Sequence, residues 1–244
     1  MVVRAAVAAR ERGLVTTVLQ ALAKTLLVLF GSLLLSILVE WVGMAMLWQD
    51  QGVAHSRWLL EQEASFIARD FRQGFFQLDP VRFAVASADL AYIGLFKATR
   101  LVDLIHFLEQ PVPEQNTWLG VLRVTAQAFY QPLAQYVEAA LNMTQVFALR
   151  LAVLILSLPL FLLFSLVAVV DGLVERDLRR WGLGDESAFL YHPTLKAVKL
   201  VFLAAWLVYL SLPTSVHPNL VIVPFAVMVA WLVGMSVSKF KKYL

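Results

Sequence analysis

The strongest constraint on this chain is a set of long apolar runs separated by short polar stretches. Residues 25–48 contain one charged side chain, Glu40, and residues 151–170 contain none. At about 1.5 Å of rise per residue, a helix of roughly twenty residues crosses the hydrocarbon core of a bilayer. Composition agrees, because only 15% of the residues are charged, against roughly a quarter in soluble proteins. The runs therefore predict membrane-spanning helices.

The apolar runs predict an all-α polytopic membrane protein with about four transmembrane helices in two hairpins. The spans are predicted at residues 25–48, 147–170, 197–212 and 220–238, with a short turn at residues 213–219. The third span is short for a full crossing, so a re-entrant hairpin is the alternative for the last two.

The distribution of Lys and Arg predicts the orientation in the membrane. Basic residues are concentrated in residues 1–24, 171–196 and 239–244, whereas acidic residues outnumber basic ones in residues 49–146. Because basic loops stay in the cytoplasm, both ends and residues 171–196 are predicted to be cytoplasmic. Residues 49–146 and the turn at 213–219 then face the periplasm of a bacterial inner membrane.

Residues 49–146 are predicted to form a periplasmic helical insertion. Apolar residues recur at helical spacing from Leu60 to Phe75, from Leu90 to Leu108 and from Trp118 to Ala140, which indicates three amphipathic helices. Asp79-Pro80 separates the first two. The third helix is expected to run straight into the second span, with a kink at Pro132.

A stripe of small and polar residues follows one face of the first span. Ser32, Ser36, Glu40 and Gly43 have the spacing of residues that pack helices closely. Arg150 should lie near the outer end of the second span, as Glu40 does in the first, so we expect an ion pair between them, or at least proximity. The alternative is a small transporter or pore subunit whose oligomer lines a path with the Ser32, Ser36 and Glu40 face.

The commonest hydrolase, nucleotide-binding and metal-binding motifs are absent from the sequence. There are no cysteines, and no HExxH, GxSxG, GxxxxGK[ST] or GxGxxG spacing occurs. His55, His106 and His217 stand alone, so exposed or capping roles are expected of them. A non-enzymatic protein without cofactor is predicted; a membrane enzyme that uses Glu186 and His192 is the other alternative. The net charge of +3 is too small to predict nucleic-acid binding.

The most distinctive segment is the cytoplasmic loop at residues 171–196. Three arginines within two turns are suited to anionic lipid headgroups or an acidic protein partner, although a solvated connector also has this character. The candidate partner-binding residues are Arg176, Arg179, Arg180, Trp181, Glu186, Phe189, Tyr191 and His192.

The loop pattern Arg-Asp-Leu-Arg-Arg-Trp-Gly-x-Gly-x-Glu-Ser-x-Phe-x-Tyr-His over residues 176–192 resembles a family of integrating conjugative element membrane proteins of unknown function. Members accompany bacterial conjugative type IV secretion genes, commonly near the coupling-protein ATPase. The resemblance implies an inner-membrane accessory or scaffold subunit of conjugative DNA transfer. Such a subunit would act through contacts with lipids, further copies of itself and other membrane proteins, the coupling ATPase among them.

Overall fold

The computed structural model of the chain describes residues 2–70, 79–110, 118–181 and 191–238, and in these residues it contains no strand. A π-helical segment, Ile93–Lys97, follows the third helix. The helices are α1 (Val2–Met46), α2 (Val53–Asp70), α3 (Pro80–Tyr92), α4 (Leu101–Glu109), α5 (Trp118–Tyr130), α6 (Ala134–Trp181), α7 (Tyr191–Ser211) and α8 (Pro218–Ser238). The predicted all-α class is confirmed.

Three helical stretches in the described residues are long and apolar enough to cross a membrane: Val15–Met46, Ala134–Leu178 and Pro218–Ser238. Helix α7 has 21 residues and reaches about 31 Å, but it carries Lys196 and Lys199 near its start. The protein is therefore an all-α membrane protein, and the count of four spans stays a prediction.

Helix α1 is longer than a bilayer needs and divides into two parts. Its apolar stretch of 32 residues is roughly 48 Å long, against about 30 Å of hydrocarbon. Nearly all described side chains from Val15 to Phe30 are exposed, whereas one face is buried from Ser32 onward. Helix α1 packs on α6 and α7, and its second part contacts α2 through Glu40 and His55. We call the group formed by residues 31–46, α2, α3 and residues 134–155 the head bundle.

The hydrophobic core is continuous from the head bundle into the remaining helices. Leu33 and Ile67, from α1 and α2, belong to the same buried cluster as Phe147 of α6, Tyr209 of α7 and Ile222 of α8. Helices α6 and α8 form the most extensive helix pair among the described residues. The core therefore fixes the head bundle to the α7–α8 hairpin through α6.

Prolines and a capping aspartate set two of the helix boundaries. Asp79 caps α3, since its carboxylate accepts hydrogen bonds from the backbone N–H groups of Val81 and Arg82 at 3.1 and 3.3 Å. The kink predicted at Pro132 is wrong, because α5 ends at Tyr130 and α6 begins at Ala134. Proline has no N–H and clashes with the carbonyl four residues earlier, and here the helix stops altogether. The predicted third insertion helix is therefore two helices, and only its second part, α6, runs without interruption into the second span.

The second predicted insertion helix is divided in the structure. Arg100 adopts the left-handed conformation (φ 57°, ψ 19°) between the π-helical segment and α4. The Thr99 hydroxyl donates to the carbonyls of Leu95 and Phe96. A side-chain donor thus competes with the backbone hydrogen bonds in the turn that precedes Arg100. The helical spacing of apolar residues in the sequence therefore continues across Arg100, although the helix itself is interrupted there.

Small residues bring α6 and α8 close together. A Cβ atom added to Gly172 would lie 2.6 Å from the Gly234 carbonyl oxygen, and one added to Gly234 would lie 3.3 Å from the Ala168 carbonyl oxygen. Backbones that approach this closely need small residues at the crossing.

Replacing Gly172 by valine is expected to force α6 and α8 apart and to destabilise the protein by about 1–3 kcal/mol. The measurement is thermal unfolding of the purified protein in detergent. Gly31→Ala is the matched control, because a Cβ there meets nothing within 4 Å and helical Ala is favoured over Gly by about 1 kcal/mol. Equal melting temperatures for the two variants would contradict the close crossing.

Candidate functional site

Arg150 on α6 is a buried charge that joins three parts of the protein. Its Nε and Nη2 atoms donate to Glu63 Oε1 of α2 at 3.0 and 2.8 Å. Nη1 donates to the carbonyls of Leu212 and Tyr209 at 2.6 and 3.4 Å, and Nη2 donates to that of Thr214 at 3.0 Å. All five N–H groups of the guanidinium thus have an acceptor. Arg150 also satisfies carbonyls at the end of α7, which an ending helix leaves unpaired.

The pair formed by Arg150 and Glu63 is almost completely removed from solvent, with side chains 1% and 2% exposed. Burial raises the pKa of the Glu63 carboxyl above its ordinary value, while the adjacent guanidinium acts in the opposite direction. A buried ion pair is stabilising only when both groups are well hydrogen-bonded. This pair therefore specifies how α2, α6 and the α7–α8 turn fit together.

A second buried polar group joins α1 to α2. His55 Nδ1 lies 3.0 Å from Oε1 and 3.1 Å from Oε2 of Glu40. Since a carboxylate only accepts, the imidazole must carry its proton on Nδ1 to form this bond. The Trp48 ring stacks on the imidazole with centroids 4.1 Å apart. Glu40 is 0% exposed, so His55 is its hydrogen-bond partner in the protein interior.

The two groups meet on one face of α2. His55, Leu59, Glu63 and Ile67 occur at intervals of four residues and are all buried, so they lie on one side of the helix. The histidine faces an acid on α1 and the glutamate faces a base on α6. Helix α2 is thus held in one register by buried polar pairs at two heights, because a shift by one turn would separate both pairs.

Further polar contacts surround these pairs in the head bundle. Asn142 donates to the Ser56 hydroxyl at 3.0 Å, and Arg57 forms an ion pair with Glu138 on the exposed side. On the other side of α6, Trp41 Nε1 donates to the Tyr136 carbonyl at 2.9 Å. Helix α6 is therefore bonded to both α1 and α2 over its first turns.

The ion pair predicted between Glu40 and Arg150 is wrong. Glu40 pairs with His55, and Arg150 pairs with Glu63. The prediction considered only the two spans, whereas α2 supplies a closer partner for each. The heights also differ, since Trp41, beside Glu40, contacts Tyr136 rather than the neighbourhood of Arg150.

The predicted stripe on α1 lies inside the protein. Ser32, Ser36 and Glu40 are at most 2% exposed, and neither serine hydroxyl has a hydrogen-bond partner within the described chain. Gly43 lies under the indole of Trp48, which follows on the same chain, and any Cβ at Gly43 would overlap the ring. The tight contact at Gly43 is thus made with the turn after α1.

The three isolated histidines have different environments. The prediction for His55 is wrong, because it is buried and paired with Glu40. His217 precedes α8 and its Nδ1 accepts a hydrogen bond from the Asn219 N–H at 3.3 Å, which is a capping role. His106 is exposed and lies 3.8 Å from Glu109. Of these three, only the role of His55 depends on a partner from another helix, which the spacing of residues within one helix does not reveal.

The predicted partner-binding residues lie around the end of α6 and the start of α7. Arg176 is half-buried, with its Nη2 3.8 Å from Asp177. Arg179, Arg180 and Trp181 form the end of α6, and Tyr191 and His192 begin α7. Glu186 and Phe189 lie outside the described residues.

The buried ionisable groups of the head bundle are bonded to one another. Among the described residues, no group of three or more His, Asp or Glu side chains is placed to hold a metal ion. The buried carboxylates are both engaged by a cation or an imidazole in contact. Such an arrangement fixes a set of helices in one geometry.

The fold and this network define a helical membrane protein whose head bundle is held together by buried polar pairs. The chain belongs to the DtrJ-like family, described as IncC plasmid conjugative DNA transfer proteins, whose family model matches residues 47–241. No curated protein and no solved structure matched. The predicted membership of a conjugation-associated family is confirmed, and a role in conjugative DNA transfer follows from it.

Proposed function

We propose that this protein is an accessory scaffold subunit of a bacterial conjugative type IV secretion apparatus. It lies in the inner membrane with both termini in the cytoplasm. It acts through protein contacts rather than catalysis, and its principal partner is the coupling ATPase. An integrating element or a plasmid encodes this type of system. Family membership supports the role in DNA transfer, and the geometry of α6 supports the role of a scaffold.

The observation that carries the proposal is the length of α6. Its 48 residues extend for roughly 72 Å, from the head bundle to the arginines at residues 176–180. The helix passes the crossing at Gly172 and continues for about nine residues, or roughly 14 Å. The sequence of this helix thus has a basic turn beyond the close helix pair, while its other end is fixed by the head bundle. A partner protein on that side of the membrane would meet a contact site at a fixed distance from the head bundle.

Exposed apolar side chains outside the candidate spans offer a second contact area. Leu104 and Phe107 of α4, with Trp118, Leu122 and Phe129 of α5, are each more than half exposed. Large apolar side chains grouped on extramembrane helices are typical of surfaces that meet another protein or a lipid surface. This area would serve periplasmic subunits, whereas the arginine turn would serve the ATPase.

The transport alternative depends on the face formed by Ser32, Ser36 and Glu40. In the structure this face is covered by the protein's own helices, and Glu40 is engaged by His55. A path along it would require the head bundle to open, so the scaffold is the function that the geometry supports better.

Replacing Arg179 and Arg180 by glutamine is expected to lower the recovery of the coupling ATPase with this protein by at least about tenfold. The reason is that charged contacts to a partner contribute more than 1.4 kcal/mol together when both are removed. DNA transfer by the donor should fall in parallel. The measurement combines affinity purification in mild detergent with mating frequency in a donor whose chromosomal or plasmid copy is deleted.

Lys196→Gln together with Lys199→Gln is the matched control, because it removes two positive charges from the exposed start of α7. It should leave both measurements near those of the unchanged protein. Undiminished recovery of the ATPase with the arginine variant, or equal losses in the two variants, would argue against a specific contact at the end of α6.

A further inference from the structure

Contacts in the head bundle show how α1 and α6 are aligned along their lengths. Trp41 of α1 donates to the Tyr136 carbonyl of α6. Leu33, which precedes Trp41, lines a small cavity with Phe147, which follows Tyr136. The two helices therefore run in opposite directions, and each step along α6 corresponds to a step back along α1.

The turn between α7 and α8 lies at the level of Arg150. Arg150 donates to the Leu212 and Thr214 carbonyls, and the ring centroids of His217 and of Phe66 on α2 are 5.2 Å apart. From this turn α8 runs beside α6, away from the head bundle, as far as the close glycine crossing. Arg150 therefore marks the level that separates the head bundle from the pair formed by α6 and α8.

The first two spans predicted from hydropathy do not lie side by side. Residues 151–170 of α6 are about 15–34 positions beyond the contact with Trp41, so they lie opposite about residues 7–26 of α1. The predicted first span, however, is residues 25–48. Together the two predicted spans would occupy roughly 60 Å along the helices, against about 30 Å of hydrocarbon in a bilayer. One bilayer therefore cannot contain both.

Exposed charges show which of these levels lies outside the hydrocarbon. Arg57 of α2 pairs with Glu138 of α6, and their side chains are 58% and 40% exposed. Glu61 of α2 is also exposed, and the side chain of Arg82 on α3 is 89% exposed. A charged side chain in contact with acyl chains is strongly unfavourable, whereas apolar side chains are common on surfaces in water. The level of the head bundle is therefore aqueous.

The part of α1 at the level of the α6–α8 pair has the surface of a helix in lipid. Leu19 and Leu22 are each more than half exposed. The Thr17 hydroxyl donates to a backbone carbonyl of the same helix, and Gln20 is polar but uncharged. Lys24 lies near the outer limit of this part, where its flexible side chain can carry the ammonium group to the membrane interface. This part of α1 therefore suits a lipid environment.

We infer that the hydrocarbon core of the bilayer surrounds α6 from Leu151 onward, α8 and about residues 7–26 of α1, and that the head bundle stands in water outside the bilayer. Met46 at the end of α1 then lies about 19 residues, or roughly 29 Å, beyond the level of Arg150. The exposed side chain of Leu38 faces water rather than lipid. This inference concerns the lipid contact of the chain and does not depend on the contact proposed for the coupling ATPase.

The test is the reaction of single-cysteine variants of the full chain with a water-soluble maleimide, which the absence of native cysteine makes specific. In membranes opened so that both faces are accessible, Leu38→Cys should react at least about tenfold faster than Leu19→Cys, because a thiol in hydrocarbon does not form the reactive thiolate. The two positions are matched, since their side chains are 52% and 58% exposed. A first span at residues 25–48 requires the opposite order. Equal rates or the opposite order would overturn the inference.

Arginine substitutions at the same two positions give a second measurement, which does not depend on access of a reagent. Leu19→Arg places a charge within the hydrocarbon and should lower the amount of protein in the membrane several-fold. Leu38→Arg should leave that amount near the amount of the unchanged protein, because this position is in water. A loss for Leu38→Arg as large as that for Leu19→Arg would overturn the inference. Neither measurement requires the coupling ATPase, so the inference and the proposed function can fail separately.

Discussion

Replacing Arg150 by methionine is expected to destabilise the protein by about 3–5 kcal/mol, because it leaves a buried carboxylate without a counter-charge. The variant would also remove the donors to the Leu212 and Thr214 carbonyls, which follow the end of α7. Both consequences fall on the junction between α2, α6 and the α7–α8 turn. The head bundle should then separate from the hairpin before the rest of the chain unfolds.

The measurement is thermal unfolding in detergent together with limited proteolysis, which should first cut the segment between α7 and α8. The double variant Arg150→Met with Glu63→Leu is the informative control, because it removes both charges and leaves an apolar contact. It should recover a large part of the loss, since matched apolar replacements of buried pairs are often nearly neutral. If the double variant were no more stable than the single one, the ion pair would not be the source of the effect.

Replacing His55 by leucine is expected to cost about 3–5 kcal/mol, again because a fully buried carboxylate, Glu40, loses its partner. The opposite replacement, Glu40→Leu, should cost less, about 1–3 kcal/mol, because it leaves only an unsatisfied N–H on the imidazole. The order of the two effects is the prediction. It follows from the larger cost of burying an unpaired charge than an unpaired dipole.

Unfolding of both variants in detergent checks this order, and Glu40→Gln serves as the conservative control because its side-chain carbonyl still accepts from Nδ1. Mating frequency in a donor lacking the native copy adds a functional measurement, which should follow the loss of stability. A loss of stability for Glu40→Leu as large as that for His55→Leu would mean that the carboxylate is held by groups other than His55.

The buried polar network of the head bundle could be predicted from the sequence only in part. The burial of Ser32, Ser36 and Glu40 on one face of α1 corresponds to their helical spacing, and Arg150 stood out as a lone base beside an uncharged run. The partners were not identified, although a signal for them existed. His55 and Glu63 interrupt the apolar stripe of Leu59 and Ile67 at four-residue intervals, so a search for polar residues within apolar faces would have found them.

Sequence alone determined the helical class, the apolar runs and the break at Asp79-Pro80, because these depend on local hydropathy and on the backbone chemistry of proline and its neighbours. Membership in a conjugation-associated family could also be predicted from residues 176–192. Only the tertiary structure decided which charges pair, how much of α1 is buried and where α6 crosses α8. A buried charge selects its partner by distance in space, and helix α2, by folding back along α6, brought His55 to Glu40 and Glu63 to Arg150.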